Sequence, residues 1–185
     1  MPVQNEHNFS GTIIIGYQGI GKSSTVNKYD FMGNKINSFI DLESSSFRLP
    51  DGSRYDDWYK YYINIALDLA SQGNNVFISS HNTVRDELAS RIKSFPKIVP
   101  LIIYPDPSLK EQWIDRLEQR YIQNPTKKNE IAFLNAKDKY LENIKELQSY
   151  SIQNKFQSIV IKSTEYNLFF DYLLGVLMDI EEEEV

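Results

Sequence analysis

Thr12 to Ser24 reads TIIIGYQGIGKSS. Four residues suited to burial run directly into a turn carrying three glycines, one lysine and two hydroxyls. This predicts a buried strand, a tight turn and a helix, in that order. The rest of the chain repeats the alternation. Nearly continuous apolar runs predict further strands at 36–41, 74–80, 97–105 and 156–162, after the first at 12–16. Continuous rather than alternating runs are the pattern of strands covered on both faces of a parallel sheet. Helical periodicity fills 22–31, 55–72, 83–94, 108–123, 129–149 and 165–180. Its apolar stripes, such as Trp58, Tyr62, Ile65 and Leu69, are read as core packing. The expected class is therefore α/β with a mostly parallel sheet. Two polar stretches, 43–54 and 123–129, are expected to be irregular.

Gly16-Tyr17-Gln18-Gly19-Ile20-Gly21-Lys22-Ser23 fits G-x-x-x-x-G-K-[ST]. The chemistry accounts for the residue types. A phosphate chain is wrapped by backbone N–H groups, so the turn must be tight and bare of side chains where they meet. Residues 16–24 are the expected polyphosphate site, with Lys22 as the point charge for the β- and γ-phosphates. The hydroxyl of Ser23 is the expected Mg²⁺ contact, and Ser24 closes the wrap. A helix opening at Gly21 aims its positive end at the same anion. The dinucleotide spacing G-x-G-x-x-G does not occur.

The second strand ends at Asp41, nineteen residues after Lys22. The C-terminal ends of parallel strands share one rim, where α/β proteins bind ligands. Asp41 and Glu43 are therefore candidates to take a proton from a substrate hydroxyl or to hold metal-bound water. The alternative for Asp41 is a cap on its own turn. The third strand ends in SSHNTVRDEL, which puts Ser79, Ser80 and His81 on that rim and Arg85 one helical turn behind. The alternatives are a loop histidine bonded to backbone and an ordinary surface charge. Absence of an acid at the end of this strand argues against an ATPase motor or a GTPase switch. Arg116 and Arg120, spaced i and i+4, share a helix face and suit clamping of phosphates. The alternative is a solvated face paired with Glu111, Asp115 and Glu118.

Composition narrows the partners. The net charge of −5 and pI of about 5.1 give no general attraction to nucleic acid or to an anionic membrane. No apolar run reaches the length of about 18 residues that a membrane helix needs. The absence of cysteine excludes disulfides, thiolate nucleophiles and zinc–thiolate sites. MPVQNEHNFSG lacks the features of a secretory signal, and the acidic run at 181–184 reads as a solvated tail. A single domain over 1–185, acting in the cytoplasm, is expected. Monomer and homodimer remain open.

The order GYQGIGKS, FIDLES, VFISSHNTVRDEL, LIIYPDPSLKEQWIDRLEQR resembles the nucleoside/nucleotide kinase-like group of P-loop small-molecule kinases. Gluconate kinases, shikimate kinases, nucleoside monophosphate kinases and small phage-encoded nucleotide kinases belong to it. A phage-encoded chain would act in the host cytoplasm. The likeness covers about residues 11–165. It implies a three-layer P-loop NTPase fold, a five-stranded parallel sheet in the order 2-3-1-4-5 with helices on both faces. It further implies ATP and Mg²⁺, with Asp41 serving the metal or the acceptor hydroxyl. Arg120 and Arg116 would be lid arginines within a lid at about 120–130. Residues 43–72 would be an acceptor-binding lobe, with Arg48 and Arg54 on an acceptor phosphate and Phe47, Tyr55 and Trp58 on a base. The implied activity is transfer of the γ-phosphoryl group of ATP to a nucleoside or nucleotide. Kinases of a non-nucleotide metabolite and a nucleotide-binding regulatory protein without transfer are the other readings. Glycines that shikimate kinases carry after the third strand are replaced here by Ser79-Ser80-His81, which argues against shikimate. The adenine contact expected near KSTEYN (162–167) has no sharp signature, so ATP rests on the resemblance.

Overall fold

The computed structural model describes residues 11–22, 26 and 39–164. The expected helix at 165–180, most of that at 22–31 and the opening of the second strand lie outside them. Five strands, β1 (Thr12–Gly16), β2 (Phe39–Asp41), β3 (Asn75–Ile78), β4 (Val99–Pro105) and β5 (Gln157–Ile161), form a sheet in the order β2-β3-β1-β4-β5. It is the parallel α/β sheet that the apolar runs and the resemblance predict. Ile13, Ile14 and Ile15 are fully buried, so successive residues of β1 are covered whichever face they point to. Each such side chain contributes about 2 kcal/mol by leaving water.

The chain divides into two compact units. Described residues 11–14 and 39–100 belong to the first, and 15–22, 26 and 101–164 to the second. In the first, β2 and β3 run parallel with Asp41 opposite Phe77. The Phe39 and Phe77 rings stack at 5.8 Å. Helix α1 (Trp58–Ser71) buries Trp58, Tyr62, Ile63, Ala66, Leu67 and Ala70 and packs against β3 and α2 (Asn82–Arg91). Its start is three residues later than the apolar pattern predicts, because Asp57 is in the left-handed conformation and cannot belong to it.

In the second unit, β4 and β5 pair in parallel from Leu101 opposite Gln157 to Pro105 opposite Ile161. Pairing thus begins just beyond Pro100, whose ring has no N–H for the ladder. Helix α3 (Lys110–Gln123) packs on α4 (Lys127–Asn154). The irregular stretch expected at 123–129 shrinks to Asn124, Pro125 and Thr126. Pro125 disfavours helical geometry in the residue before it. The Thr126 side chain then accepts from the Asn129 N–H and starts the next helix. Helix α4 is bent at Lys139, whose φ of −130° is not helical.

Candidate functional site

The glycine turn belongs to the second unit, where packing holds it from behind. The Tyr17 N–H donates to the Ile103 carbonyl of β4 at 2.9 Å. Its ring is buried, edge-on to Tyr140 at 5.8 Å and tilted against Trp113 at 6.5 Å. Burial raises the Tyr17 hydroxyl above the usual tyrosine range, partly offset by the neighbouring Gln18 and Asn143 side chains. The Trp113 indole N–H donates to the Gln18 carbonyl at 2.9 Å, so α3 is tied to the turn itself. Ile20 is buried, and its side chain fills the space where a Cβ on Gly16 would stand.

Gly19 answers the question of residue type most directly. Its φ is +83°, and a Cβ there would stand 2.9 Å from Leu117 Cδ2 and 3.2 Å from Trp113 Nε1. Both backbone conformation and space therefore require glycine. Gly21 follows with φ +91°, and Lys22 and Val26 are helical. A bare, tightly wound turn leading into a helix is the form a phosphate-wrapping loop takes, and residues 16–22 fit a polyphosphate on that count. Ser23 and Ser24 lie outside the described residues. Arg116, half-buried, lies with its guanidinium 5.2 Å from the Trp113 ring. Arg120 is one turn further along α3 and half-buried. The helix that braces the turn is thus the one that carries both arginines.

The other candidates belong to the first unit. Asp41 ends β2, and the next N–H, of Leu42, donates to the Phe77 carbonyl at 3.0 Å. The Tyr62 hydroxyl, on α1, donates to the Leu42 carbonyl at 2.6 Å and accepts from the Ser79 N–H at 2.9 Å. One buried side chain thereby links the ends of β2 and β3, fixing the backbone at Leu42, between Asp41 and Glu43, and at Ser79. Burial first, then the charges of Asp41 and Glu43, hold this phenol well above the usual tyrosine range, against the Ser79 N–H and Arg54. Periodicity identifies Tyr62 only as a core residue. The overlooked signal is that a buried tyrosine needs a partner for its hydroxyl.

Replacing Tyr62 with Phe is expected to cost about 2 kcal/mol, because a buried C=O and N–H lose their shared partner. The sign with pH follows from the raised phenol. The contribution is complete below about pH 10, the ordinary tyrosine value, and is lost as pH rises beyond it. Denaturant melts of parent and variant should therefore show a gap that is constant from pH 7 to 9 and narrows above 10. A gap that widens there would contradict the arrangement.

His81 is exposed and precedes α2, its carbonyl accepting from the N–H groups of Val84 and Arg85. Arg85 is only 3% exposed, with Nη2 donating to Asn82 Oδ1 at 2.6 Å. After Glu43, residues Ser44–Phe47 form a short 3-10 turn, and Arg48 and Arg54 pair across an antiparallel bridge. The loop between them is closed by Leu49 N–H to Ser53 O at 2.8 Å. Trp58 is 8% exposed, packed beside Phe47 and Tyr62, with the Arg54 guanidinium 3.8 Å from its ring centre. The Arg54 guanidinium thus lies over one face of the indole. Among the described residues, no group of three or more His, Asp or Glu forms a metal cluster.

The fold is shared with small-molecule kinases of known structure. A gluconokinase from Sinorhizobium meliloti 1021 superposes with a TM-score of 0.53 at 14% identity, over 95% of this chain and 95% of that one. A shikimate kinase from Bacteroides thetaiotaomicron gives 0.52 at 15% identity, over 94% of this chain and 98% of that one. At such identities the likeness is one of fold. No family model matches the chain, and no curated protein does. No described helix is long and apolar enough to cross a membrane.

Proposed function

We propose that this chain is a P-loop small-molecule kinase, transferring the γ-phosphoryl group of ATP to a nucleoside or nucleotide in the cytoplasm. The observation that carries the reading is the glycine turn, wound with two positive φ values between β1 and a helix, in a sheet of order β2-β3-β1-β4-β5. Residues 16–24 hold the phosphates by their backbone, and Lys22 with Arg120 offsets charge that builds on the transferring group. Mg²⁺, when bound, supplies charge neutralisation across the phosphates, with Ser23 and Asp41 as its protein contacts. Asp41 also orients or deprotonates the acceptor hydroxyl. Glu43, Arg48, Trp58, His81, Arg85 and Arg116 are assigned to the acceptor and its phosphates. Residues 43–72 form the acceptor lobe and about 120–130 the lid of one kinase domain.

A second reading, a kinase of a non-nucleotide metabolite, is favoured by the names of the two structural neighbours. One experiment separates the two. Purified protein with Mg²⁺ and ATP is offered nucleosides, nucleoside monophosphates, gluconate and shikimate, and ADP and phosphorylated product are measured. Product from a nucleoside or nucleotide supports the first reading, and product from gluconate or shikimate the second. Saturable ATP binding with no acceptor-dependent ADP release would leave only a nucleotide-binding regulator. No ATP binding at all would overturn the site.

A further inference from the structure

Within the glycine turn, Tyr17–Ile20 form one β-turn. The Ile20 N–H donates to the Tyr17 carbonyl at 3.4 Å and closes it. Gln18 has a negative φ and Gly19 a φ of +83°, the combination of a type II turn. A type I turn has the same ends and the same closing bond. The two differ by a half-rotation of the central peptide, here Gln18–Gly19. Glycine at the third position adopts either form at little cost. Something outside the turn must therefore decide which way that peptide faces.

Trp113 is placed to decide it. Its indole N–H donates to the Gln18 carbonyl at 2.9 Å. An indole nitrogen donates and does not accept. After a half-rotation the peptide would present its own N–H to the indole. Two buried donors would then face each other, both unpaired. The indole has little room to retreat. Trp113 is 1% exposed, with its ring tilted against Tyr17 at 6.5 Å and the Arg116 guanidinium 5.2 Å from its centre. One turn further along α3, Leu117 is equally buried, and a Cβ on Gly19 would stand 2.9 Å from its Cδ2. Helix α3 thus holds the peptide by a hydrogen bond and packs on the glycine beside it.

The Gln18–Gly19 peptide is trans and planar, so its N–H points opposite to its C=O. The carbonyl faces the buried indole, and the Gly19 N–H therefore faces away from α3. Among the described residues, no acceptor meets that N–H. We infer that Trp113 is a positioning residue of the phosphate site: by holding the Gln18 carbonyl, it turns the Gly19 N–H toward the phosphates of the nucleotide. In the other orientation a carbonyl oxygen would meet the anion and repel it. This rests on the phosphate-binding half of the kinase reading and adds to it a residue that acts through the backbone of another.

The test is MgADP binding to the full chain, read by calorimetry and by the amide resonances of isotope-labelled glycine. In the parent, saturating MgADP is expected to move the Gly19 amide proton downfield, as a charge-assisted bond to phosphate does. Trp113→Phe keeps an aromatic ring and deletes the donor. It should bind MgADP about tenfold more weakly, the worth of one hydrogen bond to a charged group, with less than half the Gly19 shift. Trp113→benzothienylalanine fills the space of the indole with sulfur in place of the N–H. It should show the same losses, and it carries the test if the phenylalanine variant folds poorly. Ser151→Ala removes a different buried hydrogen bond of this unit, to the Phe156 carbonyl at 3.1 Å, and should bind MgADP as the parent does. A Gly19 amide unmoved in the saturated parent overturns the inference. So does parent-like affinity in the Trp113 variants, or an equal loss in Ser151→Ala. No MgADP binding by the parent overturns it together with the kinase reading. Parent-like variants, with acceptor-dependent ADP release from ATP, would sink the positioning role and spare the kinase. Weakened variants without such release in the parent would do the reverse.

Discussion

Lys22→Ala is expected to lower phosphoryl transfer about a thousandfold while leaving the fold intact. A preorganised cation aimed at charge that develops in the transition state is worth about 10²–10³ in rate by analogy with single donors of this kind. A thousandfold is about 4 kcal/mol of transition-state stabilisation. Almost none of it should appear in the stability of the free protein. Lys22 is half-exposed at the start of a helix, where alanine is at least as favourable as lysine. The turn is shaped instead by the glycine backbone, by Trp113 bonded to Gln18 and by Tyr17 bonded to Ile103. The variant should therefore melt within about 2 °C of the parent, since a surface change of this kind stays near ±0.5 kcal/mol. Turnover with the productive acceptor and a thermal melt check the two halves separately. Parent-like turnover would end the assignment of the loop. A melt lowered by 10 °C would mean that the lysine holds the turn together, and lost activity would then say nothing about phosphate.

Parts of the molecule were legible because one local pattern decides them. The run Thr12–Ile15 can only be a buried strand, and the glycines after it only a turn. Gly19 was legible for its conformation but not for its crowding by Leu117 and Trp113, which come from a helix nearly a hundred positions later in the chain. Periodicity places Tyr62 and Trp113 correctly inside. It says nothing of their polar ends, which bond to the Leu42 carbonyl and Ser79 N–H and to the Gln18 carbonyl. Those contacts join segments that only the tertiary fold brings together. Trp58 illustrates the same limit. Periodicity does not show that Arg54, four residues away, folds back over one face of its ring. Helix starts depart from the periodic pattern where a single residue decides them, at Asp57 and at Thr126.

Gly11→Ala is the substitution expected to harm the fold most, although nothing in the sequence before the strand marks that residue. Gly11 is buried, and its N–H donates to the Ala70 carbonyl at 2.7 Å, near the C-terminus of α1. The chain then turns through Gly73, and the Asn74 amide side chain donates to the Leu69 carbonyl at 2.8 Å. A Cβ on Gly11 would stand 2.7 Å from the Asn74 nitrogen and within overlap of its carbonyl oxygen. Both are backbone atoms, held at one end by β3 and at the other by the closing turn of α1. They cannot move aside as the tip of a side chain could. The added methyl must displace β1 from that turn or break the Gly11–Ala70 hydrogen bond. Overpacking of a rigid site costs 1–3 kcal/mol, and a backbone clash sits at the upper end, about 3 kcal/mol. For a chain of this length that is a melting point lower by about 10 °C. Calorimetry on parent and variant reads it directly. A variant that melts with the parent would show that the β1 entrance and the α1–β3 turn are further apart than these distances state.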